Sequence, residues 1–285
     1  MKEENLIKAY EKYLAEQEKA ESTVERYVRD VRSMYVWLGG ETTAEEPWDR
    51  LSRDKVIEYK AWLSEGHAVS GVNSILSSLN GYFDFLGRND LKIKYMRSQR
   101  RVFVDEAREM SVEEYRRLVF ACESVGNERL SLIFQTVCST GIRVSELKYI
   151  TTESLAYEAA TVSCKSKQRV VFLPTKLCKK LKNYCISRKI VSGPIFVSKN
   201  GNPVDRSNLW GEMKRICELA CVPQAKVFPH NLRHLFARTY YSKSKDIVRL
   251  ADVLGHSSVN TTRIYTMESG KVHKQQIQSL GLADF

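Results

Sequence analysis

A chain of 285 residues is too long for one typical domain and comfortable for two, and a formal net charge of +11 points to a polyanionic partner. No apolar run approaches the roughly 18 to 20 residues that cross a bilayer, and the charged, amphipathic start MKEENLIKAYEKYLAEQ lacks a signal-peptide core; a membrane or secreted protein is excluded and a cytoplasmic one expected. Seven cysteines, odd in number and without a CxxC pair, indicate neither a disulfide framework nor a zinc site.

Residues 1–103 hold 17 Lys+Arg and 17 Asp+Glu, so residues 104–285, with 28 and 17, carry the entire excess of positive charge. The expected division is therefore a neutral domain over 1–103 and a basic one over 104–285. The first reads as helices only. Leu6 to Gln17 is amphipathic, and ESTVERYVRDVRSMYVWL follows with Ser22 and Glu25 spaced as a capping box. LSRDKVIEYKAWL and SGVNSILSSLNGYFDFL complete the set, the last with Val72, Ile75, Leu76, Leu79, Phe83 and Leu86 on one stripe. A cluster of Arg88, Lys92, Lys94, Arg97, Arg100 and Arg101 against Asp90 closes this domain as a basic strap. Four helices and a strap suit a clamp that holds DNA through exposed Lys and Arg; a helical bundle that binds protein is the alternative.

The second domain opens on EMSVEEYRRLVFACE, where Ser111 and Glu114 form a capping box. The next helix ends in QTVCSTGIRVSELKYI. Arg143 follows Gly141 after an apolar run, at the edge of a core, where a guanidinium is seldom tolerated without an anionic partner. Glu146, three residues on, is either an ordinary helix pair or the group that orients Arg143 toward phosphate. From Thr161 to Pro174 the chain reads as a β-hairpin with Lys165, Lys167 and Arg169 at its tip, where lysines are commonly just solvated. A helix from about Thr175 to Arg188, a strand with an Asn200-Gly201 turn in GPIFVSKNGNPVD, and a helix beginning near Ser207 follow. In that last helix Cys217 and Cys221, one turn apart, are expected as small core hydrophobes.

In FPHNLRHLFARTYY, Pro229 suits the first helical position. His230 and Arg233, three apart, share one face of the first turn, where free N–H groups and the helix dipole favour an anion. The final motif, LGHSSVNTTRIYT, places His256 nine positions before Tyr265. A helix from Asp246 to Leu254 is stopped by Gly255, and Asn260 is positioned to cap a short helix carrying Tyr265. Alone, a tyrosine beside Ile264 reads more readily as a packed aromatic than as a nucleophile.

TGIRVSEL, the CKSKQR hairpin, PHNLRH and LGHSSVNTTRIYT, in that order, resemble the tyrosine recombinase (phage integrase) family, and the size is similar to Xer-type recombinases and simple integrases. The resemblance spans essentially the whole chain. It implies a mainly α (α+β) protein: a helical, SAM-like core-binding domain, then a mostly helical catalytic domain with a small β-sheet and no separate arm-binding domain ahead. By position, Arg143, Lys165, His230, Arg233 and His256 match the family's assisting residues and Tyr265 its nucleophile, with Glu146 in support. One departure is visible: the family hairpin carries Gly-Lys-Gly, whereas here Cys164, Lys165 and Ser166 stand, which leaves Lys165 and Lys167 both open as the hairpin acid.

The chemistry needs these residue types. A phosphodiester is anionic and repels nucleophiles, so paired guanidiniums must neutralise its non-bridging oxygens and hold the transition state. His256 would add a hydrogen bond there. A tyrosine phenol, with an ordinary pKa of about 10, must lose its proton, with His230 the candidate base and Lys165 the acid for the departing 5′ oxygen. No metal or cofactor is called for. The resemblance implies a 3′-phosphotyrosyl intermediate, a Holliday junction, and a homotetramer on two double-stranded DNA sites, with Lys167, Arg169 and the strap residues on DNA. A type IB topoisomerase, or a DNA-binding protein without catalysis, remain the alternatives. The tail SGKVHKQQIQSLGLADF has apolar Val272, Ile277, Leu280 and Leu282; in the family such a segment docks onto a neighbouring protomer.

Overall fold

The computed structural model describes residues 2–39, 51–97, 106–164, 167–198, 201–204, 206–265 and 277–280. It divides into two compact units, Met1–Arg100 and Arg101–Phe285, each with its own apolar core.

The first unit is built from α1 (Lys2–Glu16), α2 (Glu21–Gly39), α3 (Arg53–Gly66) and α4 (Val69–Phe85), with a 3-10 turn at Asn89–Leu91 after them. The α4 stripe faces inward: Val72, Leu76, Leu79 and Phe83 are buried against Tyr10, Val31 and Met34, while Ile75 and Leu86 pack at its rim. The Ser22–Glu25 capping box is not formed. The helix starts two residues earlier, and the Ala20 carbonyl accepts from the Thr23 and Val24 amides instead.

Two asparagines of α4 hold the strap against the helix. Asn80 donates to the Ile93 carbonyl (3.1 Å) and accepts from the Ile93 amide (3.3 Å); Asn73 does the same for Met96 at 2.9 and 2.8 Å. A side-chain amide carries one donor side and one acceptor side, so each asparagine stands in for a paired backbone. Within this strap Arg88 forks onto Asp90 and Lys92 pairs with Asp84, so those two charges are compensated locally, whereas Lys94 and Arg97 are exposed. Arg100 and Arg101 lie outside the described residues.

The second unit comprises α5 (Val112–Ser124), α6 (Glu128–Thr140), a 3-10 segment Val144–Tyr149, the strands β1 (Ala159–Cys164) and β2 (Lys167–Phe172), then α7 (Thr175–Arg188), α8 (Arg206–Leu219), α9 (Pro229–Ser244), α10 (Ile247–Leu254), and α11 (Val259–Thr262) running into a 3-10 turn Arg263–Tyr265. The Ser111–Glu114 capping box forms in full, Pro229 occupies the first turn of α9, and Asp246 and Gly255 bracket α10. The strand expected near 195–203 is reduced to single bridges, Thr151 to Pro194 and Val197 to Pro203. Cys217 is buried, but Cys221 is exposed at φ 50°, past the end of α8. Among the described residues no helix is long and apolar enough to cross a membrane.

Candidate active site

Two helix ends bring the site together. Helix α6 stops at Gly141, in the left-handed region at φ 66°, and the chain turns at once into Arg143. Helix α9 packs across α6, and Arg233, one turn into it, reaches the same point: one Nη donates to the Gly141 carbonyl, the other to Leu254 O at 2.6 Å. Gly141 is required twice over. Its φ favours glycine, and a Cβ there would stand 2.5 Å from the Phe236 ring.

Arg233 is only 2% exposed, and its buried Nε has no hydrogen-bond partner among the described residues. A buried guanidinium held by neutral carbonyls, with a donor left over, fits an anion. Burial, and then the neighbouring Arg143, lower its pKa to about 10, so it stays charged at neutral pH.

Arg143 is held by Glu146. Its backbone N–H donates to Oε2 (2.9 Å) and its Nη1 to Oε1 (2.8 Å), while the carboxylate is 2% exposed and the guanidinium about one-third exposed. It is an i, i+3 pair in which the guanidinium keeps part of its surface exposed.

His256 comes directly after the Gly255 turn. Its Nε2 lies 3.1 Å from Arg233 Nη2 and its Nδ1 2.8 Å from Thr262 Oγ1. Arginine can only donate, so Nε2 accepts, and Nδ1–H donates to the threonine. In the structure His256 is thus an acceptor from Arg233. Burial, and then the charges of Arg233, Arg143, His230 and Arg169, lower its pKa to about 4. The cap that turns the chain back is Ser258, not Asn260; the Ser258 hydroxyl accepts from the Asn260 amide.

Tyr265 is 3% exposed, packed on Ala237, Leu250 and Leu254. Its ring lies 5.9 Å from that of His256 and 4.8 Å, edge to face, from His234. His234, which the sequence reading passed over, stands 4.5 Å from His230 on its other side. The signal was present: residues 230 and 234 are one helical turn apart and share a face. Burial, then His230, lower the His234 pKa to about 4; burial, then Arg233, lower that of His230. All three imidazoles are thus neutral near pH 7, the state in which a base can accept a proton.

The hairpin carries one correction. Arg169 is not at the tip: it pairs with Val162, and the register runs on to Cys164 and Lys167. Its side chain points inward and its Nη2 donates to Glu146 Oε2 at 2.7 Å. The misreading has a physical source. Arg169 and Val171 share the inner face, while apolar Val170 and Phe172 are exposed, which inverts the usual polarity of a half-buried strand. Lys165 lies outside the described residues, as does the side chain of Lys167.

Two guanidiniums, three neutral imidazoles and a tyrosine gather where α6, α9 and α10 meet, a set of groups suited to an anion. The chain belongs to the phage integrase family: residues 108–271 match the Phage integrase family model, and residues 7–90 match its N-terminal SAM-like domain. It is 27% identical to the tyrosine recombinase XerA of Pyrococcus furiosus over 84% of each chain. Its fold is similar to that of the XerH site-specific recombinase bound to difH substrate in a pre-cleavage complex (TM-score 0.68, 19% identity, 91% of this chain and 79% of that one). It is also similar to a lambda integrase tetramer bound to a Holliday junction (TM-score 0.69, 16% identity, 92% and 76%).

Proposed function

We propose that this protein is a tyrosine-type site-specific DNA recombinase, and that Tyr265, Arg143, Arg233, His230, His256 and Lys165 carry its chemistry. The observation that carries the assignment is the buried Arg233, with a donor to spare, set between the Arg143 loop and the turn that delivers His256 and Tyr265. Tyr265 Oη attacks the scissile phosphorus and gives its proton to neutral His230. The bond from phosphorus to the 5′ oxygen breaks as Lys165 protonates the leaving hydroxyl. Arg143 and Arg233 neutralise the non-bridging oxygens, and Glu146 keeps Arg143 aimed. The phosphotyrosyl ester conserves the energy of the broken bond, so a 5′ hydroxyl from a second duplex reverses the step and exchanges the strand. Four copies on two DNA sites, passing through a Holliday junction and joined by exchanged tails, fit this chemistry, with Lys94, Arg97 and the rest of the strap along the backbone. The reaction belongs to DNA inside the cell.

The test begins by denaturing cells that express the protein and sequencing the DNA that remains covalently attached, which yields the site. A nicked duplex carrying that site traps the adduct. Tyr265→Phe is expected to bind it and form none, and Arg143→Ala or Arg233→Ala to lose roughly 3 kcal/mol or more of transition-state stabilisation, as for a preorganised oxyanion donor. Adduct surviving in Tyr265→Phe removes the nucleophile assignment. Strand exchange between two such duplexes separates a recombinase from a topoisomerase.

A further inference from the structure

Glu146 does not serve Arg143 alone. Its Oε2 also accepts from Arg169, whose side chain is 14% exposed and comes from the hairpin. On its way to that carboxylate the Arg169 shaft crosses Gly255, so closely that a Cβ on that glycine would lie 2.4 Å from Cδ and 2.5 Å from Nε of the arginine. Gly255 separates Leu254, whose carbonyl binds Arg233, from His256. One side chain thus touches both halves of the site: the loop that bears Arg143, and the turn that bears His256. It also roots β2, four residues after Lys165, on the carboxylate that aims Arg143.

We propose that Arg169 is a positioning residue for strand transfer, a brace that fixes the Arg143–Glu146 pair against the Gly255–His256 turn. The proposal rests on the reading of Arg143 as a ligand of the scissile phosphate. Its physical content is a competition for one buried carboxylate. While Arg169 and the Arg143 backbone N–H share Oε2, Glu146 holds the Arg143 guanidinium by Oε1 alone and leaves its outer face for phosphate. Without Arg169, Oε2 keeps only the Arg143 backbone N–H and has a lone pair open to a second N–H of the Arg143 guanidinium, which draws it toward a closed fork, the geometry arginine and carboxylate prefer. The turn before His256 also loses the wall that a glycine at 255 exists to admit. The demand on Gly255 is steric as well as conformational: its φ is 65°.

The experiment uses the full chain and the nicked duplex carrying the recovered site, in two forms: the natural diester, and one with a methylphosphonate at the scissile position. The methylphosphonate is neutral and has less need of Arg143. Arg169→Met keeps the shaft and removes the charge; Arg169→Lys keeps the charge and removes the fork. For Arg169→Met, the single-turnover rate of adduct formation on the diester is expected to fall about a hundredfold, as for a small misplacement of a reacting group. DNA affinity should be little changed, the deficit markedly smaller on the methylphosphonate, and Arg169→Lys intermediate. A wild-type rate in Arg169→Met, or an equal deficit on both substrates, overturns the proposal; the equal deficit makes Arg169 merely structural. Should Arg169→Met fail to fold, the same ratio of deficits is read on Arg169→Lys with the same meaning. Wild-type protein that forms no tyrosine adduct defeats the parent reading instead, and so the two failures are distinguishable.

Discussion

Glu146 and His256 treat the arginines beside them alike: each accepts a hydrogen bond and so fixes a guanidinium that has nothing but donors. The difference is charge. Glu146 compensates Arg143, whereas neutral His256 leaves Arg233 uncompensated and able to bind an anion. The neutrality of the imidazoles carries a stability consequence. His234 and His256 have folded pKa values of about 4 against an ordinary 6.5, so the unfolded chain takes up their protons first as pH falls. Their contribution does not vary above pH 6.5. Stability is lost as pH drops from 6.5 to about 4, and these two groups cause no further loss below that. Urea unfolding of the wild type and of a His234→Gln/His256→Gln variant across pH 7.5 to 4.5 checks this. The variant is expected to have the shallower slope, and equal slopes would show that neither ring is held neutral by the fold. The sequence made His230, Arg233, His256 and Tyr265 legible because each sits at a fixed offset from a Pro, a Gly or another member. It did not disclose that His256 accepts from Arg233, since which ring nitrogen faces which donor depends on three segments meeting.

Elements were legible where a local residue decides them. Pro229, Ser111 with Glu114, Asp246 and Gly255 each supply or remove a particular backbone hydrogen bond, and each marks a helix end in the structure. Two failures share one cause. The inward turn of Arg169 and the clipping of Ile93 and Met96 by Asn80 and Asn73 are set by partners 13 to 23 residues away in sequence, beyond any periodic signal. Gly141 lies between these cases. Its place as a helix stop reads directly from the chain, but the Phe236 ring that fills the space above it does not. Gly141→Ala is expected to cost about 1–2 kcal/mol for a side chain in the left-handed region and about 1–3 kcal/mol for overpacking against Phe236. Cleavage should fall with stability, because the Gly141 carbonyl also holds Arg233. Thermal melts of Gly141→Ala and of Gly141→Ala/Phe236→Leu separate the two contributions. The second substitution should restore only the packing part, and full recovery would mean that the backbone carries no strain.

At the scale of the molecule, charge and core divide the same way. The first unit has a complete core of its own and sums to little net charge, while the basic excess and the proposed chemistry lie in the second. A clamp that is neutral overall can still hold DNA through a few exposed cations, because backbone affinity depends on the number of phosphates met rather than total charge. The proposed exchange of tails would make assembly depend on the tail. Of its apolar residues, Ile277 and Leu280 are described, and they are 68% and 63% exposed. Val272 and Leu282 lie outside the described residues. Ile277 and Leu280, left to solvent, suit a second copy of the chain in the proposed assembly, where burying them would link protomers around two duplexes and bias the nucleophile of the receiver. Deleting residues 271–285 is therefore expected to leave binding to one DNA site nearly intact and to abolish both cooperative assembly and recombination. Sedimentation of the truncated protein with paired sites measures this directly: complexes no larger than single-site occupancy are the expected result, and a truncated protein that still assembles tetramers on two duplexes takes the tail out of the mechanism.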